Sequence, residues 1–266
     1  LWMSIKTQVR YFNEEWRGSD EIPTISSRET RRAVTSFKNV VVNDVRRERA
    51  SMDIDGAGFT LIDVDEVGID PADEAVVKSV YVPQMAASLA KLVGADEVLF
   101  SNYQVRTEKP EGFNDAYARF VHTDYHRDTV QDMSTDLVVK MGGAPSSEWQ
   151  YAWYNTWQPF DHAVERNPLA VIDAESIAEG DIIPYYYAGF KTPNLTAAPV
   201  YNSAHKWCYF GGMKTTEALV LKQADTRLAR TEAVPHTSFD DPDTRDDALP
   251  RRSIELRLMA VFKRAT

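Results

Sequence analysis

The sequence predicts a mainly β chain, a sandwich or closed jelly roll with flanking helices, and three observations predict it. From Glu97 onward, short apolar runs of strand length follow one another, separated by Gly, Pro, Asn and Asp, as strands and turns alternate in an all-β domain. Helical patterning lies mostly in the first third. Finally, 266 residues of which 43% are hydrophobic suit one barrel with a core of its own. A single domain, 1–266, is therefore expected, with 1–95 a mixed strand and helix support region and 96–266 the jelly-roll core.

Taken in order, GFTLIDVDEV near 58–67 reads as a strand. Asp70-Pro71 suits an N-cap followed by the first helical position. The helical stretch it opens runs to about Leu92 and places Ala87, Leu89, Leu92 and Val93 on its later turns. Pro83 is expected to kink or divide it, and Gly94 to stop it in a left-handed conformation. The strands that follow are EVLFSNYQVR, FVHTDY, QYAWYNTWQPF, PLAVIDA, KWCYFGGM, EALVLKQ, HTSF and SIELRLMAVF. DIIPYYYAGF reads as a loop whose tyrosines, Tyr186 among them, either cover an apolar substrate or form a structural surface cluster. In the last strand, Ile254, Leu256, Leu258, Ala260 and Phe262 share one face, while Ser253, Glu255, Arg257 and Met259 share the other. The aliphatic face is expected to meet helices and the polar face to look into the barrel.

Two separated motifs carry chemistry. The run VHTDYHRDTV holds His122-Thr-Asp124, and PHTSFDD holds His236, followed fifteen residues later by Arg251-Arg-Ser253. Residues two apart on a strand point to one face, so His122 and Asp124 can share one metal, and Arg251 and Ser253 can share one carboxylate. Two histidines and one carboxylate on one side of a metal leave positions open for a co-substrate and dioxygen, the arrangement of non-haem Fe(II) oxygenases. Alone, a His-x-Asp is a common coincidence. The second half strengthens it, because the apolar run EALVLKQAD, the His236 segment and a strand opening on Arg-x-Ser follow in the order in which such sites are built.

Composition excludes other classes. A formal charge of −10 argues against a nucleic-acid partner, since phosphate binding needs clustered Lys and Arg. A small organic substrate suits the chain better. One cysteine, Cys208, rules out an intrachain disulfide. No apolar run is long enough for a membrane span, and LWMSIK lacks the apolar stretch of a signal peptide, so a cytoplasmic location is expected.

The runs VRYFNEEW, GFTLIDVD, VHTDY, NTWQPF, PLAVIDA, HKWCYFGGM, EALVLKQAD, PHTSFDDP and RRSIELR, in this order from Val9 to the end, resemble the gibberellin desaturase-like and aspergillic-acid-type hydroxylases, a family that also holds the cephamycin methoxylation component. The resemblance implies a double-stranded β-helix (a cupin-like jelly roll), an Fe(II)- and 2-oxoglutarate-dependent dioxygenase, and oxidation of a secondary metabolite by hydroxylation, desaturation or ring closure. It implies iron at His122, Asp124 and His236, 2-oxoglutarate on Arg251 and Ser253, and Asn155 and Trp157 beside that co-substrate. A homodimer or heterodimer is compatible with it. The chain departs from the family at HKWCYFGGM, where Cys208 and Gly211 are expected to make one wall smaller and looser.

Further candidates surround these. His126 would share a face with His122 and Asp124 if the strand continued; as a non-ligand, it and Tyr125 suit an outer partner. His205 competes with His236 as the distal ligand, but a whole strand would then separate ligand from anchor; His205 and Trp207 are therefore expected beside the site or the substrate. His162 reads as a loop histidine. Two other functions compete: a supporting jelly-roll subunit without catalysis, disfavoured by the intact motif set, and a zinc hydrolase, disfavoured by the lack of a recognised general base.

Overall fold

Two five-stranded sheets enclose the core of the computed structural model, which describes residues 4–107, 119–189, 194–227 and 231–263. In chain order the elements are β1 (Ser4–Phe12), β2 (Thr24–Ile25), α1 (Arg28–Val34), β3 (Thr35–Asp44), β4 (Phe59–Asp63), α2 (Glu74–Val76), α3 (Val82–Val93), β5 (Glu97–Arg106), α4 (Arg127–Lys140), β6 (Gln150–Pro159), β7 (Leu169–Ile172), β8 (Ile182–Tyr187), β9 (Asn194–Pro199), β10 (Trp207–Tyr209), β11 (Glu217–Asp225), β12 (His236–Ser238) and β13 (Ser253–Phe262). One sheet runs β1-β3-β10-β7-β12, the other β4-β11-β6-β13-β5, and β2, β8 and β9 form a small third sheet. This is the expected jelly roll. The first 95 residues do more than support it, because β1, β3 and β4 are members of the two main sheets.

Strand alternation decides which side chains meet. On β11, Leu219 and Leu221 pack with Phe59, Leu61, Trp157 and Val171 between the sheets. Ala218 and Val220 turn outward, with Ile254, Leu256, Leu258 and Ala260 of β13, onto Val82, Met85 and Leu89 of α3. The aliphatic face of β13 thus meets a helix, as its pattern predicts, and each fully buried Leu, Ile or Val contributes about 1.5–3 kcal/mol. Helix α4 seals another part of the shell: Val130, Leu137 and Val138 pack on Leu99, Tyr151, Trp153 and Met259, and Trp153 Nε1 donates to Ser134 Oγ at 2.9 Å.

Several elements differ from expectation. The helix before Gly94 starts at Glu74, capped by Asp73, whose side chain accepts from Val76 N at 3.1 Å. Asp70 instead caps a turn at Ala72. A π-helical turn over Val77–Tyr81 divides α2 from α3 just before Pro83, the proline expected to kink or divide the stretch because it cannot donate to the preceding turn. Gly94 does close α3, at φ 67. Residues 185–187 form β8 rather than a loop, paired with β2 and β9; Phe190 lies outside the described residues. No helix among the described residues is long and apolar enough to cross a membrane.

Candidate metal centre

The segment carrying His122 and Asp124 is held extended without belonging to a regular strand. His122 and His236 exchange backbone hydrogen bonds, His122 N to His236 O at 3.2 Å and His236 N to His122 O at 2.9 Å. Next to it, Thr123 N donates to Ala197 O at 2.7 Å, and Asp124 N donates to Gln223 Oε1 at 2.8 Å. The expected strand FVHTDY is thus a pair of isolated bridges, although the alternation survives. His122 and Asp124 turn inward, and Thr123 turns away.

Three ligand atoms, one each from His122, Asp124 and His236, lie within 4.8 Å of one another. The imidazoles are set alike. Nδ1 of His122 faces Phe120 O at 2.9 Å and Nδ1 of His236 faces Val234 O at 3.4 Å. A carbonyl can only accept, so each Nδ1 carries the proton and each Nε2 offers its lone pair inward. Burial, then the neighbouring His236, pushes the His122 pKa down to about 4, and burial lowers that of His236. Burial pushes the Asp124 carboxyl up, but Arg257, the two histidines and Asn155 outweigh it and hold it well below the usual carboxylate range. At neutral pH the set is two neutral imidazoles and one carboxylate, the donor chemistry of a facial triad.

The sign of the pH dependence follows. A histidine with a depressed folded pKa binds fewer protons folded than unfolded between the two values, so stability rises with pH there. Metal-free protein is expected to keep the His122 contribution above pH about 6.5 and to lose up to about 3 kcal/mol as pH falls toward 4. Denaturant unfolding at pH 7, 5.5 and 4.5 measures it; stability rising toward pH 4.5 would contradict the burial of neutral His122.

The cavity bounded by the triad is also lined by Arg106, Trp157, Leu169, Ser238, Arg251, Glu255 and Arg257. Arg251 is buried over the Trp157 ring, its guanidinium carbon 5.2 Å from the centroid. Its Nη1 donates to Asn167 O at 2.5 Å and reaches toward Ser238 Oγ at 3.5 Å. Ser253 Oγ is buried without a hydrogen-bond partner among the described residues. A buried hydroxyl without a partner is a cost that a bound acceptor would relieve, although Ser253, unlike Arg251, is not among the residues that line the cavity.

Of the other sequence candidates, Asn155 and Tyr125 stand directly behind the triad, Tyr125 accepting a hydrogen bond from Arg257, the partner of Asp124, and the rest fall elsewhere. Asn155 reaches Asp124, Nδ2 to Oδ2 at 2.5 Å, because β6 and β13 pair it with Arg257. His126 is the N-cap of α4, its Nδ1 accepting from Asp128 N at 3.3 Å, since the chain enters a helix instead of continuing as a strand. Tyr125 packs against Trp153, centroids 4.9 Å apart. Tyr186 is exposed, whereas Tyr185 is buried against Phe120, which stacks on His122. Cys208 and Gly211 are absent from the lining: Cys208 is in the core with Val45, and Gly211 packs so closely on Asp44 that a Cβ would lie 2.5 Å from its carboxylate. His162 is a half-buried loop residue, its Nδ1 2.9 Å from Ala163 O.

His205 and Trp207 form a separate buried chain. Trp207 Nε1 donates to Tyr11 Oη at 2.9 Å, Tyr11 Oη lies 3.0 Å from His205 Nδ1, and His205 Nε2 lies 3.0 Å from Asp181 Oδ2. With the proton on Nε2, His205 donates to Asp181 and accepts from Tyr11. Neither residue is beside the triad, which corrects the expectation for both. His205→Ala is expected to leave iron retention unchanged and to cost about 1–3 kcal/mol, from the Tyr11 hydroxyl that loses its acceptor and the hole left behind; Asp181 keeps Arg17, Asn202 and Ala178 N. Melting curves with parallel iron analysis check this; lost iron would restore His205 to the metal site.

Gln223 and Arg106 carry no local signal that would mark them as site residues. Gln223 is a strand residue whose amide happens to face Asp124 N, and Arg106 enters the cavity only because β5 sets it opposite Ser253.

Comparison with known proteins follows the same lines. The model of the Oxidoreductase/YMDC permease-like domain family matches residues 9–262. The chain is 26% identical over 231 residues to the Fe(II)/2-oxoglutarate-dependent dioxygenase nvfI of Aspergillus novofumigatus, covering 82% of this chain and 81% of that one. It is 29% identical to the alpha-ketoglutarate-dependent dioxygenase phiK of a fungal species, over 85% and 84% of the two chains. It is 26% identical to the hydroxylase/desaturase efuI of Hormonema carpetanum, over 98% and 96%. A solved structure of the iron and alpha-ketoglutarate-dependent endoperoxidase NvfI shares the fold, with a TM-score of 0.83 at 23% identity over 99% of this chain and 98% of that one.

Proposed function

We propose, for a chain that belongs to the Oxidoreductase/YMDC permease-like domain family, that it oxidises a small secondary metabolite by hydroxylation, desaturation or ring closure. It is an Fe(II)- and 2-oxoglutarate-dependent oxygenase. The observation that carries the assignment is the convergence of His122, Asp124 and His236 within 4.8 Å in one cavity with Arg251.

The residues fit the groups they are to hold. Nε2 of His122, Nε2 of His236 and a carboxylate oxygen of Asp124 are the metal ligands. Arg251 and the Ser253 hydroxyl would hold the distal carboxylate of the co-substrate; a planar guanidinium suits a carboxylate, and the Arg251 guanidinium lies over the Trp157 ring. When bound, the iron and 2-oxoglutarate supply the oxidation of a substrate C–H bond by dioxygen, with release of succinate and carbon dioxide. Leu169 and Trp157 are the apolar members of an otherwise charged and polar lining. A cytoplasmic location belongs to the same proposal, supported by a single, buried, unpaired cysteine.

The test is anaerobic purification, iron analysis and succinate release. About one iron per chain and succinate formation that requires both Fe(II) and 2-oxoglutarate are expected. Zinc retention with no succinate formed would replace the oxygenase with a hydrolase.

A further inference from the structure

Asp124 already has a cationic partner within the chain. Arg257 Nη2 donates to Asp124 Oδ1 at 2.9 Å, and this oxygen lies 3.8 Å from His122 Nε2. The guanidinium and a metal ion would therefore compete for one oxygen. Orientation does not depend on Arg257, because Asn155 holds Oδ2 and Gln223 holds the Asp124 backbone N–H. What Arg257 adds is charge. A second acid stands ready for it: Glu255, two residues earlier on the same face of β13, has Oε1 3.5 Å from Arg257 Nε.

We propose that Arg257 is the internal counter-ion of the triad, neutralising Asp124 in the metal-free protein and shifting to Glu255 when a divalent cation takes Oδ1. This rests on the iron assignment above. A buried carboxylate left without a partner is strongly destabilising, so the metal-free triad needs a cation to stay assembled. A guanidinium and a dication on one oxygen repel each other in a shielded site, so loading needs somewhere for Arg257 to go. The whole arrangement sits in the one cavity that the triad bounds. Arg257 and Glu255 both line it.

The test uses Mn²⁺ alone as the probe, titrated calorimetrically into the full chain, with melting curves taken with and without the metal. Arg257→Met is expected to lower the metal-free Tm by roughly 10 °C and to bind Mn²⁺ about tenfold more tightly than the native chain. Glu255→Gln, which removes the second acid, is expected to weaken Mn²⁺ binding about tenfold. Asp124→Asn/Arg257→Met removes both charges and is expected to recover most of the lost metal-free Tm, which keeps the charge coupling measurable if the single variant folds poorly. Weaker Mn²⁺ binding by Arg257→Met would make Arg257 a support for ligand orientation and overturn the counter-ion role. Unchanged affinity in both single variants would also overturn it. Failure of the native chain to take up Mn²⁺ would sink the iron assignment itself, whereas native uptake with the wrong sign in the variants sinks only the counter-ion.

Discussion

Asp124→Ala is expected to abolish turnover and to leave a protein that no longer retains iron through purification. The loss should exceed the ten- to hundredfold typical of removing an outer partner of a metal ligand, because a ligand oxygen disappears. A second cost arises in the metal-free protein. Arg257, largely buried and raised in pKa chiefly by Asp124 against the opposing effect of burial, is left to Glu255 and the Tyr125 hydroxyl. Removing one partner of a buried ion pair costs about 3–5 kcal/mol. Asp124→Asn, which keeps the shape and the Asn155 contact region, separates the two effects, since it removes the charge without opening a hole. Iron analysis, succinate release and denaturant unfolding on both variants check the result. Full iron occupancy in Asp124→Ala would end the facial-triad assignment.

Arg251→Lys is expected to raise the 2-oxoglutarate requirement about ten- to a hundredfold, the equivalent of a charge-assisted hydrogen bond worth roughly 1.5–3 kcal/mol. The change is not conservative here. Lysine keeps the charge, but it cannot present two parallel donors or stack as a plane over Trp157, which the Arg251 guanidinium approaches to 5.2 Å. Because the lost contact is made to the co-substrate in ground and transition states alike, KM should carry the effect and kcat at saturation should change little. Succinate release measured across 2-oxoglutarate concentrations checks this. An unchanged KM for Arg251→Lys, with loss of co-substrate binding in Arg257→Lys, would transfer the anchor to Arg257, six residues further along the chain and inside β13.

How far the site was legible can be followed residue by residue. His122 and Asp124 were readable as a pair because alternation puts residues two apart on one side, and this holds even where the strand is reduced to single bridges. His236 was readable over His205 because the Arg-x-Ser strand follows it. His126 was not readable as a cap, since nothing before Arg127 announces α4 as strongly as the motif suggests a continuing strand. Asn155 was placed near the co-substrate, yet it binds Asp124; only the pairing of β6 with β13 puts it opposite Arg257. The His205 chain was hidden because Tyr11 and Asp181 arrive from distant segments.

By itself the sequence determined the β-rich class, the inward set of metal-ligand residues and the polar face of β13, because all three depend on local periodicity and residue chemistry. The tertiary structure decided which polar groups on that face meet Asp124, how each imidazole is turned, and that His205 belongs elsewhere. Those outcomes depend on strand register and on which distant backbone carbonyls lie within hydrogen-bond reach, and a one-residue slip in register moves every side chain of a strand to the opposite face.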